Sequence, residues 1–94
     1  MYLIQKIVIG DYNYGESRGV IQTKVATDKL TAIDIQKEMI LLDANEDFAE
    51  EDKLTSLEDF FKLPSVSMIT YSDDEIIVDD QDRELETLYS ITEI

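Results

Sequence analysis

The chain contains no cysteine and no histidine. Without cysteine there is no disulfide framework and no thiolate chemistry. Without histidine the usual general base near neutral pH is missing, and so is the commonest metal ligand. Only one proline is present, and the three glycines all fall between residues 10 and 19. No apolar run approaches the ~18 residues of a membrane span. Met1 to Ile9 is apolar but short, and it holds Gln5 and Lys6. It has neither a basic leading region nor a small-residue cleavage site, so no signal peptide is expected. These absences predict a soluble cytoplasmic protein with no cofactor, no metal and no membrane contact.

Basic residues are scarce too. Eight Lys and Arg stand against 22 Asp and Glu, for a net charge of −14. The imbalance is one-sided. Residues 1–40 carry five acids and five bases, while residues 41–94 carry 17 acids against Lys53, Lys62 and Arg83. A soluble domain of this size needs a net charge of only about 2–8 in magnitude. The excess costs self-repulsion and points to a functional reason.

What is present suits one small folded domain. The 94 residues are 44% hydrophobic, too apolar for a disordered acidic tail. A chain this long buries about 60–65% of its unfolded surface, enough for a single core. Tyr2 to Ile9 is β-branched and aromatic, with apolar residues on both faces, which predicts a central strand. Gly10 to Gly19 predicts a long hairpin loop. Its Gly10 to Ser17 segment imitates a phosphate loop, but Glu16 stands where the lysine belongs and a strand follows, so no nucleotide site is expected. Tyr12 and Tyr14 in that loop serve either as a contact patch or as cover for the sheet.

Val20 to Val25 predicts a second strand, and Thr27–Asp28 a helix cap. From Thr31 to Leu42 the pattern turns helical, with Ala32, Ile35, Met39 and Leu42 as the apolar stripe. Asp43 to Lys53 reads as a polar connector anchored by Phe48. Its Asp43, Asn45 and Asp47 imitate a calcium loop, but the required turn glycine and the closing bidentate glutamate are missing. Thr55 to Glu58 reads as a capping box with Thr55 at the N-cap. The helix it opens is short because Pro64 follows. Ser65 to Tyr71 and Glu75 to Asp79 form a hairpin. Glu84 to Ile94 fits strand or helix, and its Thr, Tyr and Ile favour strand. The expected fold class is α+β: one domain, residues 1–94, ordered ββ-α-α-βββ, with an antiparallel sheet and one or two helices packed on one face.

The acids have no evident use in such a fold. Eight of the fourteen residues from Asp73 to Glu86 are acidic, around a short apolar run, Ile76 to Val78. As enzyme parts they would have to be carboxylate pairs holding Mg²⁺ in a nuclease. A nuclease with a net charge of −14 would repel its own polyanionic substrate, so the chain is read as non-enzymatic. As a binding surface they would attract a basic partner. If residues 84–86 are extended, Glu84 and Glu86 project to one face about 6.7 Å apart. If Asp43 to Asp52 is helical, Asp43, Asp47 and Glu50 or Glu51 line one side at a rise of ~6 Å. Both spacings are near that of successive phosphates on a nucleic-acid strand.

The acidic runs Asp43, Glu46, Asp47, Glu50, Glu51, Asp52 and Asp73, Asp74, Glu75, Asp79, Asp80, Asp82, on a chain without histidine or cysteine, resemble small phage- and plasmid-encoded inhibitors. These include anti-CRISPR proteins, anti-restriction proteins and other nucleic-acid mimics. The resemblance is one of type across residues 43–86. It implies a non-enzymatic blocker, active in the bacterial cytoplasm, that occupies the DNA- or RNA-binding surface of a defence nuclease and does not itself bind nucleic acid. The candidate contact residues are those twelve together with Glu84 and Glu86. The neutral first 40 residues do not fit whole-surface mimicry, so any mimicry is confined to one side. The alternative is an assembly or adaptor protein that self-associates through a neutral sheet edge in its N-terminal half, with the acids as a solvated outer face. Either a monomer or a homodimer fits the sequence.

Overall fold

A computed structural model of the chain describes residues 1–11, 19–46, 48–72, 74–81 and 84–94. Five strands form one antiparallel sheet: β1 (Tyr2–Asp11), β2 (Gly19–Ala26), β3 (Val66–Ser72), β4 (Glu75–Asp80) and β5 (Leu85–Glu93). Between β2 and β3 come α1 (Lys29–Ala44), a 3-10 turn (Glu50–Asp52) and α2 (Leu57–Phe61). This is the predicted ββ-α-α-βββ order. The sheet order is β2-β1-β5-β4-β3. The chain ends therefore meet in the middle of the sheet, with β1 and β5 side by side. Ile94 N–H donates to the Met1 carbonyl at 2.9 Å.

The central place of β1 explains why both its faces are apolar. Tyr2, Ile4 and Lys6 turn toward the helices. Ile7, on the other side, is opposite Leu88, which is opposite Ile77, which is opposite Ile69. That row crosses four strands on the helix-free face. The core lies on the helix side, where Ile4, Ala26, Met39, Ile40, Phe60, Val66, Val78, Tyr89 and Ile91 are buried together. Burying a large aliphatic or aromatic side chain contributes about 1.5–3 kcal/mol.

Helix α1 begins where its cap dictates. Asp28 is extended, and its carboxylate accepts from Thr31 N–H at 2.9 Å. That bond holds the Asp28 carboxyl below its ordinary range. The helix is longer than the sequence pattern suggested, and its buried face is rotated. Ala32, Gln36, Met39, Ile40 and Ala44 are buried, whereas Leu42, expected in the stripe, is 59% exposed. The rotation brings a glutamine into the core. Its amide donates to the Tyr89 carbonyl at 2.9 Å and to the Asp74 carbonyl at 3.4 Å, which offsets the cost of burying it.

The cap of α2 is one residue later than expected. Ser56, not Thr55, is the N-cap, and its hydroxyl accepts from Asp59 N–H at 3.2 Å. Phe60 is buried, and its ring meets that of Phe61 at 5.2 Å and a 42° tilt. Residues 85–93 are strand rather than helix. The loop carrying Tyr12 and Tyr14 lies outside the described residues. Among the described residues, no helix is long and apolar enough to cross a membrane.

Candidate functional site

Helix direction decides where the acids go. Lys29, at the start of α1, pairs with Asp74 in the β3–β4 turn, and its ammonium stands 5.6 Å from the centre of the Tyr2 ring. Asp43, the last residue but one of the helix, reaches β1 and β5. It accepts from Lys6 at 2.7 Å and from the Tyr89 hydroxyl at 2.6 Å. The helix thus runs from the β3–β4 turn toward the β4–β5 turn. Its last residues share a cavity of about 20 Å³ with Asp80, Leu85 and Thr87. That is room for about one water and no substrate.

The described acids of this stretch, Asp74, Glu75, Asp79, Asp80, Glu84 and Glu86, therefore do not form one patch. They occupy opposite ends of β4, about 20 Å apart for a strand of this length. At one end Asp74 is engaged by Lys29. At the other end Asp79 lies directly opposite Glu86 across β4 and β5, with Gly10 of β1 beyond. Both carboxylates are on the helix-free face. Like charges in such a pair, with Cβ atoms about 5 Å apart, are destabilising. Among the described residues neither acid makes an ion pair, and the buried Oδ1 of Asp79 has no hydrogen-bond partner.

The α-helix does not continue into the connector, whose only described helical turn is the 3-10 turn Glu50–Asp52. Asn45 caps α1, and its side chain then clamps Leu54. Its amide donates to the Leu54 carbonyl at 2.8 Å and its carbonyl accepts from Leu54 N–H at 2.8 Å. These two bonds tie together the two ends of the segment between Asn45 and Leu54. Glu46, Glu50, Glu51 and Asp52 are exposed on it. Glu50 is paired with Lys53 at 2.8 Å, and that hydrogen bond keeps its carboxyl below the ordinary range. Helix α1 stops at Ala44, so Asp43 does not share a helical row with Glu50 or Glu51, and Asp47 of the expected row lies outside the described residues. The extended row of Glu84 and Glu86 does not form either. Glu84 has φ of 57°, in the left-handed region, and β5 starts at Leu85.

The candidate residues thus divide four ways. Asp43, Glu50 and Asp74 are held by internal lysines. Glu46, Glu51, Asp52, Glu75, Asp79, Glu84 and Glu86 make no ion pair among the described residues, while Asp80 borders the small cavity. Asp47, Asp73 and Asp82 lie outside the described residues. The pairing of Glu50 with Lys53 is local, but those of Asp43 with Lys6 and Asp74 with Lys29 join residues 37 and 45 positions apart, so no local pattern announces them.

Among the described residues, no three carboxylates converge as a metal site would require. A groove of about 230 Å³ between β2 and α1 is lined by Lys6, Gln22, Lys24, Met39, Leu42, Asp43 and Glu46. Its charges are of both signs, and it has no histidine or cysteine to act as a nucleophile or strong base. Comparison with known proteins finds no family model, no curated protein and no solved structure that matches this chain.

Proposed function

We propose that the protein is a non-enzymatic inhibitor that binds the basic, nucleic-acid-binding surface of another protein. The target is a nuclease of a bacterial defence system, and the inhibitor is encoded by a phage or other mobile element, in the manner of anti-CRISPR proteins. It works in the cytoplasm of the host. Its contact surface is the acidic end formed by Asp79, Glu86 and Glu84, together with the clamped loop bearing Glu46, Glu51 and Asp52.

The observation that carries this reading is the pair Asp79 and Glu86. Two carboxylates face each other across neighbouring strands without a cation among the described residues. Their repulsion costs stability, and nothing among the described residues offsets it. An incoming Arg or Lys removes the repulsion, so the charge that destabilises the free protein strengthens the complex. The neutral first 40 residues supply β1, β2 and most of α1, and so serve as scaffold.

The test is competition. A basic DNA-binding nuclease is held on labelled DNA, and release is followed by anisotropy as the inhibitor is added. Replacing Glu51, Asp52, Asp79 and Glu86 together by lysine is expected to weaken release at least about tenfold, and the wild-type effect is expected to fade with added salt. Unchanged inhibition by the fourfold variant would refute the proposal. Asp43 and Asp74 are left out of the variant because their loss disturbs the fold.

A further inference from the structure

The two edges of the sheet differ. The β2 edge carries Lys24 and a bulge, since the pairing with β1 skips Ile21. Lysine and bulges are the usual guards against edge-to-edge pairing. The β3 edge, Val-Ser-Met-Ile-Thr-Tyr-Ser, has no charged residue. Ser67, Met68, Ile69 and Thr70 are exposed, with Met68 at 50% and Ile69 at 42%. Its only irregularity is the skipped Tyr71, near the end. An uncharged, exposed edge of high strand propensity is unusual on a chain with a net charge of −14.

The unpaired backbone groups on this edge can be assigned. Gln81 N–H donates to the Ser65 carbonyl at 2.9 Å. Ser65, Ser67 and Ile69 therefore turn their backbone groups toward β4, and Val66, Met68 and Thr70 turn theirs outward. The outward N–H of Val66 is already taken by the Leu63 carbonyl at 3.1 Å. What remains is the Val66 carbonyl and both groups of Met68 and Thr70.

We infer that β3 pairs antiparallel with β3 of a second copy, joining two five-stranded sheets into one of ten strands. A twofold axis through Met68 pairs both free donors of the edge and two of its three free carbonyls. Each Met68 N–H donates to the carbonyl of the other Met68, and each Thr70 N–H donates to the Val66 carbonyl of the other copy. Val66 N–H, which this register would aim at the Thr70 carbonyl of the other copy, is already held by Leu63, so the two Thr70 carbonyls at the ends of the seam are left to water. On the helix-free face Ser67 meets Ile69 of the other copy and covers its exposed side chain. The register also keeps charge apart. Asp79 is one strand inward from Ser67, so the two Asp79 carboxylates are about 16 Å apart by strand spacing and rise. That exceeds the ~8 Å screening length at physiological salt. This association does not depend on the acidic surface and leaves Asp79 and Glu86 uncovered.

One short seam is small against the ~1,200–2,000 Å² of stable interfaces, so the dimer is a weak one. Because each copy is strongly acidic and the seam is neutral, added salt strengthens it. The experiment is sedimentation of the full chain up to roughly 500 µM, at about 0.05 M and about 0.5 M NaCl. The weight-average mass is expected to climb from 10.8 kDa toward twice that value, and further at the higher salt. Met68→Pro removes an outward N–H without touching the β4 ladder, and it is expected to abolish the dimer while circular dichroism stays unchanged. If that variant fails to fold, Met68→Lys decides, since it places a charge on the seam. Val25→Lys, on β2, is expected to change nothing. A monomer under every condition overturns the inference. So does a dimer that survives both Met68 variants, or one that salt dissolves. A monomer that loses a basic partner through Met68→Pro overturns it as well, because the strand taken up would then be foreign.

Discussion

Replacing Asp43 by alanine is the sharpest test of how this fold is held. Through one side chain Asp43 links α1 to both central strands, with Lys6 at 2.7 Å and the Tyr89 hydroxyl at 2.6 Å. The Lys6 and Asp43 side chains are only 17% and 18% exposed. Removing the carboxylate leaves an ammonium and a hydroxyl without that partner in a half-dry setting. Breaking a fully buried pair costs about 3–5 kcal/mol. Residual exposure lowers this, and a hydrogen bond to a charged group contributes about 1.5–3 kcal/mol. The expected loss is about 2–3 kcal/mol, a large share of the 5–15 kcal/mol that holds a typical domain. For a domain near this size that lowers Tm by about 10–20 °C. Thermal unfolding by circular dichroism, with Tyr89→Phe and Lys6→Met to complete the cycle, measures it. Tyr89→Phe is expected to cost about 1–2 kcal/mol. A loss below about 0.5 kcal/mol for Asp43→Ala, the level of an exposed ion pair, would refute the reasoning. It would return Asp43 to the pool of acids available to a partner.

Three further outcomes are expected. Gln36→Leu removes the donor to the Tyr89 and Asp74 carbonyls and costs about 1–3 kcal/mol in urea unfolding, despite the gain in apolar volume. Asp28 has a lowered pKa in the folded chain. Its contribution is fully present above the unfolded value of 3.8 and is lost as pH falls through the lower folded value. Asp28→Asn is therefore expected to flatten the acid end of the Tm–pH curve. Asn45→Ala opens the base of the acidic loop and is expected to speed limited proteolysis within residues 46–53, with little change in the amide protection of the sheet.

Some of these features are legible residue by residue. The strands announce themselves because Tyr2 to Ile9, Ser65 to Tyr71 and Glu75 to Asp79 are dense in β-branched and aromatic side chains, and the turns between them are polar. The N-cap at Asp28 and the short second helix before Pro64 follow from local chemistry. The shift of the second cap from Thr55 to Ser56 was not readable, because both hydroxyls sit three residues before an acid. The burial of Gln36 was not readable either. A glutamine is at home in a core only if a carbonyl from elsewhere meets it, and that carbonyl, Tyr89, is 53 positions away.

The candidate acids divide along the same line. Composition alone determined that the charge lies in residues 41–94 and that the first 40 are neutral, because counting needs no geometry. Which acids remain available was decided by the tertiary structure. Asp43 and Asp74 come from the same acid-rich half as Asp79 and Glu86, yet α1 brings lysines of the neutral half to the first two and to neither of the others. Strand register did the rest. It set Asp79 against Glu86, placed the two ends of β4 apart, and left the uncharged β3 at an edge while the equally apolar β1 was enclosed. Ion pairing and edge exposure are properties of the space between segments, and that space is fixed only when the sheet closes around β1 and β5.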